Sequence, residues 1–191
     1  MMNRPKVNYA HIVTVVHGKT EYQIVEYIYQ AIRQPKKNIY AKDGGNQSIQ
    51  INGLMTLLNT APFDTYENFT NHFANLKIDK GKILDFKLAF IMDTDDCTSD
   101  TKQRYLDKSL FKGHHLYDYI MPIHLSENLE DVLTICDIKY PDSKKRNYSQ
   151  IFIHRGKSQL ESIATINEKL KTKPVATNLP KYLDYCINNF N

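Results

Sequence analysis

A buried strand that ends in three carboxylates is the segment of the sequence best suited to chemistry. Residues 88–92 are all apolar, which is typical of a strand without a solvated face, and Asp93, Asp95 and Asp96 follow them. In α/β proteins the carboxyl ends of parallel strands open into the crevice where ligands bind. Because closely spaced carboxylates repel one another and a cation offsets that repulsion, we predict a metal site here. The alternative is that Asp95 and Asp96 only cap the next helix or form a turn.

A second polar segment, His17-Gly18-Lys19-Thr20-Glu21, follows the first predicted strand and opens a helix that Thr20 is expected to cap. Its Gly-Lys-Thr tripeptide resembles part of a P-loop. That motif needs another glycine five positions before Gly18, where the chain has Val13, so a P-loop is excluded. A simpler phosphate contact at the helix N-terminus, supported by Lys19, remains open.

Strand and helix patterns alternate along the chain and place both polar segments at strand ends. We predict strands at residues 10–16, 38–41, 88–92, 119–125 and 151–153. We predict helices after Thr20, at 48–58, within 61–84, at 99–110, 128–135 and 158–170, and after an Asn178 cap. This alternation predicts one α/β domain over residues 1–191, with a mostly parallel central sheet flanked by helices on both faces. Its core spans residues 10–135, and residues 136–191 add a helical C-terminal extension.

The composition is that of a globular protein, with 41% hydrophobic and 24% charged residues among 191. No apolar run approaches the roughly 20 residues of a membrane span, and the apolar N-terminal segment lacks a signal-peptide cleavage site. These features predict a cytoplasmic protein with no membrane partner. Three cysteines without CxxC spacing indicate neither a disulfide framework nor a zinc site.

Positive charge is concentrated in the last third of the chain, although the net charge of +4 is small. The basic runs are Lys144-Lys145-Arg146 and residues 169–173. Such runs are usually solvated faces, and contact with nucleic acid is the alternative.

Two other known kinds of carboxylate site are alternatives for the Asp93–Asp95 pair. The pair resembles the aspartates of haloacid-dehalogenase-like phosphatases, in which the first is a nucleophile and the second an acid. Their motif has Thr or Val where this chain has Cys97, and it usually lies near the N-terminus. A calcium loop of the EF-hand type is excluded, because its central glycine and terminal glutamate are missing. A small-molecule phosphatase therefore stays open as an alternative.

Taken together, three motifs resemble the Toprim domain. They are a first strand ending in Gly18-Lys19-Thr20-Glu21, the Gly44-Gly45 pair before the second helix, and a later strand ending in Asp93-Thr94-Asp95. The similarity covers residues 10–135 and is closest to the small domains of overcoming-lysogenisation-defect (OLD) nucleases and RloB-like proteins. It implies a Toprim/Rossmann-like fold and divalent-metal-dependent phosphoryl transfer, most simply by a nuclease. It also implies a role in bacterial phage defence or a mobile element, often beside an ATPase partner. A homo-oligomer is a further candidate assembly.

The resemblance also assigns roles to residues of this chain. In the family, an E-G-x-x-E motif after strand 1 and a D-x-D motif after strand 3 bind divalent metal together. A later acidic helix start resembles Asn128-Leu129-Glu130-Asp131, where Glu130 is the first choice and Glu127 the second. The implied ligands of Mg²⁺ or Mn²⁺ are Glu21, Asp93, Asp95 and Glu130. The implied catalytic residues are His17, Lys19, Glu21 and Asp93, and the candidate contacts to DNA or RNA phosphates are Lys19, Lys42, Arg155 and Lys157.

His17 is the main departure from the family pattern, because it stands where the first glutamate of E-G-x-x-E is expected. An imidazole suits a transition metal better than Mg²⁺, which prefers oxygen ligands. His17 is also a candidate general base, since an imidazole titrates near neutral pH. Two alternatives follow: a catalytically degenerate regulatory or interaction protein of the same fold, or a turn histidine that is hydrogen-bonded locally.

Overall fold

Four parallel strands form the central sheet of the protein. A computed structural model describes residues 9–141 and 147–189, so the basic run at Lys144-Lys145-Arg146 lies outside the described residues. The strands are β1 (Ile12–Val16), β2 (Ile39–Tyr40), β3 (Ile78–Asp79), β4 (Lys82–Ile83), β5 (Lys87–Asp93) and β6 (Ile120–Leu125). The sheet has the order β2-β1-β5-β6 with every pair parallel, and β3 and β4 form a separate antiparallel hairpin.

Helices cover both faces of this sheet. They are α1 (Lys19–Ala31), α2 (Leu54–Leu58), α3 (Tyr66–His72), α4 (Ser99–Leu106), α5 (Leu129–Ile135), α6 (Gln159–Lys171) and α7 (Leu179–Asn189). Side chains alternate along a strand, so Ile12 and Val16 of β1 pack with α1, α5, α6 and α7. Val13 and Val15 face the opposite core, which contains α2, α3 and α4. The predicted α/β fold, a parallel sheet with helices on both faces in a single domain, is confirmed.

The direction in which the chain winds reverses between β1 and β5. From β1 the chain passes through α1 to β2 at one edge, and it then returns to the other side of β1 to form β5. The carboxyl ends of β1 and β5 therefore flank a topological switch point, where sheets of this kind hold their ligands. The backbone N–H of His17 donates to the carbonyl of Ile91 over 2.9 Å, which fixes the two strand ends beside each other.

The C-terminal segment covers the outer edge of β6. Thr177 forms an antiparallel bridge with Leu125, and the N–H of Ser126 donates to the carbonyl of Ala176 over 2.8 Å. Asn178 was predicted to cap α7. Its side chain instead pairs with the backbone of β6, where Oδ1 accepts from the N–H of His124 (2.8 Å) and Nδ2 donates to a carbonyl (3.0 Å).

The covered edge explains one wrong prediction. Residues 151–153 were expected to form a strand, but Ile151 and Phe152 belong to a 3-10 helix, Tyr148–Phe152, that Ile153 ends, because the open side of β6 is already occupied by the C-terminal segment. The 3-10 helix packs on α1 instead, where Phe152 stacks on Tyr27 with ring centroids 5.0 Å apart.

Other differences concern helix starts and ends. Gly18, not Thr20, is the N-cap of α1, because Glu21 supplies the capping hydrogen bond from its side chain. The helix predicted at 48–58 is a 3-10 turn (Ile51–Gly53) followed by α2, and residues 48–50 are irregular. The helix predicted at 99–110 ends at Leu106, since Lys108 has a left-handed backbone (φ 70°). Of the helices in the described ranges, none is long and apolar enough to span a membrane.

Candidate functional site

His17 and Asp93 face each other at the switch point. Nε2 of His17 lies 3.6 Å from Oδ2 of Asp93, and their side chains are 14% and 11% exposed. The other polar atoms of the pair, His17 Nδ1 and Asp93 Oδ1, are buried without a hydrogen-bond partner among the described residues. A buried polar atom without a partner costs about 1–3 kcal/mol. Five further atoms of this kind occur elsewhere in the described residues, on Gln34, Tyr66, His124 and Asn167. What distinguishes this pair is therefore its position at the switch point among carboxylates.

Glu21 is a buried carboxylate in the first turn of α1. Its Oε2 accepts a hydrogen bond from the backbone N–H of Gly18 over 2.9 Å, which closes the start of the helix. The pKa of Glu21 is raised to about 7, chiefly by burial and to a smaller extent by the charge of Glu130, against the lowering effect of backbone hydrogen bonds at Glu21 and Gly18. Glu21 therefore lies within the electrostatic reach of Glu130, which belongs to a different helix.

Asp93 lies in the field of several other carboxylates. Burial raises its pKa to about 8, and the charges of Glu21, Asp95, Glu130 and Asp96 act in the same direction. A proton or a cation at Asp93 reduces this repulsion, since either one cancels negative charge.

Burial disfavours the charged forms of both His17 and Asp93, and therefore disfavours an ion pair between them. Burial lowers the pKa of His17, and the charge of Asp95 opposes that effect. With the pKa of Asp93 raised and that of His17 lowered, a neutral imidazole faces a carboxyl group that retains its proton through much of the neutral range.

Glu130 is held by the 3-10 helix that follows it in the sequence. It lies in the first turn of α5 and accepts a short hydrogen bond from the hydroxyl of Tyr148 through Oε1. The backbone N–H of Tyr148 donates in turn to Oε1 of Gln23 on α1 over 3.0 Å. Glu127, the second choice, is exposed, and its backbone carbonyl accepts from the N–H of Thr94 over 3.3 Å.

Asp95 and Asp96 are exposed and do not cap the next helix. Thr98 is the N-cap of α4, where its hydroxyl accepts from the N–H of Thr101, so the prediction of an aspartate cap is wrong, whereas Asp95 and Asp96 do lie in a turn, as the same alternative expected. Oδ2 of Asp96 accepts a hydrogen bond from Nε2 of Gln50 over 2.7 Å. Asp95 contributes to the site through its charge, which acts on both His17 and Asp93.

The four predicted basic contacts are distributed between two places. Lys19 is exposed at the first position of α1, and Lys42 is exposed at the start of the 3-10 turn Lys42–Gly45. The two segments touch at Gly45, where a Cβ would come within 2.9 Å of the Cα of Lys19. Arg155 and Lys157 are exposed in the turn before α6, and Nζ of Lys157 donates to Thr165 over 2.8 Å. Lys19 and Lys42 therefore lie next to the switch point. Lys157 lies elsewhere, where its side chain is hydrogen-bonded to α6.

The donor chemistry of this site suits a cation that prefers oxygen, since its buried groups are carboxylates and one oxygen of Asp93 lacks a partner. The side chains are not gathered around a common point. Within the described ranges, no group of three or more His, Cys, Asp or Glu side chains is positioned to hold a metal ion. Glu21 is directed to the N–H of Gly18 and Glu130 to Tyr148, so a bound cation would draw these carboxylates from their present hydrogen bonds.

Two residues of this region were not anticipated from the sequence. Tyr148 and Gln50 each bind a predicted site residue, Glu130 and Asp96 respectively. Tyr148 is 18 positions from Glu130 and Gln50 is 46 from Asp96, so no local spacing relates either pair.

Comparisons with known proteins found no match to this chain. No protein-family model matches the chain, and neither the curated proteins nor the solved structures contain a match. The resemblance to the Toprim domain therefore stays a prediction, carried by residues 18–21, 44–45 and 93–95, with residues 128–131 as a further similarity.

Proposed function

We propose that the carboxylates at the switch point bind Mg²⁺ or Mn²⁺ and that the protein hydrolyses phosphodiester bonds in nucleic acid. The observation that carries this proposal is the carboxyl group of Asp93. It is buried at the end of β5, one of its oxygens has no partner in the described part of the chain, and four carboxylates act on it. A divalent cation offsets this repulsion and provides the missing partner.

The residues have distinct roles in this proposal. Asp93 and Glu21 hold the ion, with Asp95 and Glu130 as further oxygen ligands. A bound divalent ion activates water and stabilises the charge that builds on the transferring phosphoryl group. His17 is the candidate general base, because its imidazole stays neutral at neutral pH and its Nδ1 has no partner in the described ranges.

In this proposal, the residues around the start of α1 bind the phosphate groups of the substrate. The first N–H groups of a helix and a nearby lysine attract phosphate. Lys19 is exposed at this helix start and Lys42 lies on the segment packed against it, so both are placed to contact the substrate backbone. Arg155 and Lys157 are candidates for contacts with phosphates farther along the same nucleic-acid strand.

The setting follows from the Toprim resemblance. We infer a cytoplasmic protein that acts on DNA or RNA in phage defence or a mobile element, with an ATPase as a candidate partner. This part of the proposal is an analogy of fold and motif.

The test is hydrolysis of labelled single-stranded and duplex DNA and RNA with Mn²⁺, with Mg²⁺ and with EDTA. We expect cleavage only with a cation, and a loss of about 10²-fold or more in Asp93→Asn, as for removal of one catalytic electrostatic group. Asp79→Asn is the matched control, because Asp79 is exposed on the β3–β4 hairpin. Cleavage that persists in EDTA, or equal activity of Asp93→Asn and the wild type, contradicts the proposal.

His17 favours a second candidate, a regulatory or interaction protein that keeps the fold without hydrolysis. It replaces the family's first glutamate with a group that suits Mg²⁺ poorly. His17→Glu distinguishes the two candidates. If the wild type is inactive and His17→Glu gains cation-dependent cleavage, the natural protein is the non-catalytic form.

A small-molecule phosphatase with Asp93 as nucleophile is the weaker third candidate. Its nucleophile must be ionised, and the pKa of Asp93 is raised to about 8 by burial and neighbouring carboxylates. Trapping of an aspartyl-phosphate at Asp93 would establish the phosphatase mechanism and contradict the proposed cation-dependent hydrolysis of phosphodiesters.

A further inference from the structure

A cleft of about 470 Å³ lies beside the acidic site, on the other side of the segment that links β2 to α2. Its size falls within the roughly 300–1,000 Å³ typical of small-molecule sites. The side chains that determine its chemistry are Tyr40, Lys42, Ser48, Gln50, Thr56 and Thr60.

The lining of this cleft differs in charge from the site next to it. Lys42 is its cation, and none of the described residues that line it is acidic. Four hydroxyl groups and one amide line the cleft, while Ile49 and Leu57 add apolar surface. The hydroxyl of Thr60 already donates to the carbonyl of Leu57 over 2.8 Å, so the hydroxyls of Tyr40, Ser48 and Thr56 are the ones proposed to meet a ligand. A cation combined with neutral donors and an aromatic ring suits an anionic ligand that also carries a flat ring.

The cleft and the acidic site share one wall, residues 48–50. The backbone N–H of Ile49 donates to the carbonyl of His17 over 2.8 Å. The side chain of Gln50 lines the cleft and donates to Asp96 over 2.7 Å. A ligand in the cleft is therefore separated from the carboxylates by a single segment of chain.

The walls of the cleft are held in place by packing. The ring of Tyr40 contacts Phe63 edge-on, with centroids 4.9 Å apart. Gly45 has φ +90° and lies so close to Lys19 that a Cβ there would approach within 2.9 Å. Only glycine fits this close approach, and it anchors the segment after Lys42 to the start of α1.

We propose that this cleft binds one nucleotide of the substrate strand, with its phosphate at Lys42 and its base against Tyr40. The inference rests on the proposed function, because it gives the cleft a place along the nucleic acid that the carboxylates cleave. It identifies the substrate as a strand with at least one unstacked nucleotide, since a base that is stacked and paired in a duplex has no free face to lie against Tyr40.

Gly53 offers a direct way to fill the cleft. It lines the cavity, its φ of −91° is one that any residue adopts, and no described atom lies within 4 Å of the position of a Cβ. Gly53→Leu therefore adds a large side chain at the lining of the cleft without a backbone change, and Gly53→Ala is the matched control. Lys42→Met removes the cation, with Lys82→Met on the exposed β4 as its control.

The experiment is titration of the metal-free protein in EDTA with 5′-dAMP and with adenosine, followed by NMR. We expect saturable binding of 5′-dAMP that weakens at least about tenfold in Gly53→Leu and in Lys42→Met, which is about 1.4 kcal/mol. The two control variants should bind as the wild type does, and adenosine should bind the wild type about tenfold more weakly than 5′-dAMP.

The cleft proposal is overturned if 5′-dAMP does not bind saturably, or if Gly53→Leu binds it as tightly as Gly53→Ala does. Because EDTA removes the cation, these results are independent of the metal site. Binding in the cleft by a protein that shows no cation-dependent cleavage would refute the proposed function alone. Cation-dependent cleavage that Gly53→Leu leaves unchanged would refute the cleft proposal alone.

Discussion

Two buried polar clusters lie against β1, and they differ in whether their hydrogen bonds are complete. On one face, the hydroxyl of Thr14 bonds to those of Tyr29 and Tyr182 at 3.0 and 3.1 Å. Tyr29 also donates to the carbonyl of Ile12 over 3.2 Å. At the neighbouring carboxyl ends of β1 and β5, His17 and Asp93 each keep a buried atom without a partner among the described residues.

The difference separates a structural cluster from a candidate functional one. Completed hydrogen bonds in a low-dielectric interior fix the packing of α1 and α7 on the sheet. An incomplete set of buried carboxylates destabilises the fold unless a ligand or protons complete it. The contribution of the Thr14 cluster to the free energy of unfolding is therefore expected to change on mutation but not with pH or cations. The contribution of the Asp93 cluster is expected to change with both pH and cations.

The largest expected effect is the pH dependence of the metal-free protein. The pKa values of Glu21 and Asp93 are raised to about 7 and about 8, from 4.5 and 3.8. Raised pKa values mean that the folded state holds these protons more tightly than the unfolded state does. The resulting stabilisation of the folded state is complete below about pH 4 and is lost as the pH rises through 7 to 8. We expect the free energy of unfolding in EDTA to fall by a few kcal/mol between pH 5 and 9. Urea denaturation at each pH measures it, and a flat profile would contradict the account.

Next in size is Thr14→Val. This change removes the hydroxyl that joins Tyr29 and Tyr182, and leaves a buried tyrosine hydroxyl short of a partner. We expect a loss of about 1–3 kcal/mol that is equal at pH 6 and 8, with unchanged cation binding. Urea denaturation at both pH values checks this. A loss that varies with pH would show that the two clusters are coupled.

Tyr148→Phe should have the smallest effect on stability and a distinct effect on cation binding. Loss of its hydrogen bond to Glu130 should cost the metal-free protein about 1 kcal/mol. Because that bond competes with a cation for Glu130, we expect Mn²⁺ to bind roughly fivefold more tightly. Calorimetric titration measures the affinity. Weaker Mn²⁺ binding would mean that Tyr148 positions Glu130 for the metal rather than holding it away.

The sequence predicts the sheet and the location of the site well, because both depend on local patterns. The apolar run at 88–92 and the strand before His17 are recognisable without tertiary information. Parallel strands bring the residues after each carboxyl end to one edge, so His17 and Asp93 were expected at the same edge, and the structure places His17 Nε2 3.6 Å from Asp93 Oδ2.

The features that were missed depend on contacts between distant residues. Residues 151–153 have a strand-like composition, but Ile151 and Phe152 are in a 3-10 helix because Thr177 already occupies the edge of β6. The hydrogen bond of Tyr148 to Glu130 depends on this packing as well. The α1 cap shifts from Thr20 to Gly18 because Glu21 turns back to its N–H, although a threonine is ordinarily the better cap.

The central claim is that Asp93 is the principal partner of a divalent cation. The most direct test is the melting temperature at pH 8 of the wild type and Asp93→Asn, each with Mn²⁺ and with EDTA. In EDTA we expect Asp93→Asn to melt higher than the wild type, because it removes a buried negative charge. Mn²⁺ should raise the wild-type melting temperature in proportion to the logarithm of its concentration and leave that of Asp93→Asn unchanged. Equal responses of the two proteins to Mn²⁺ would contradict the claim.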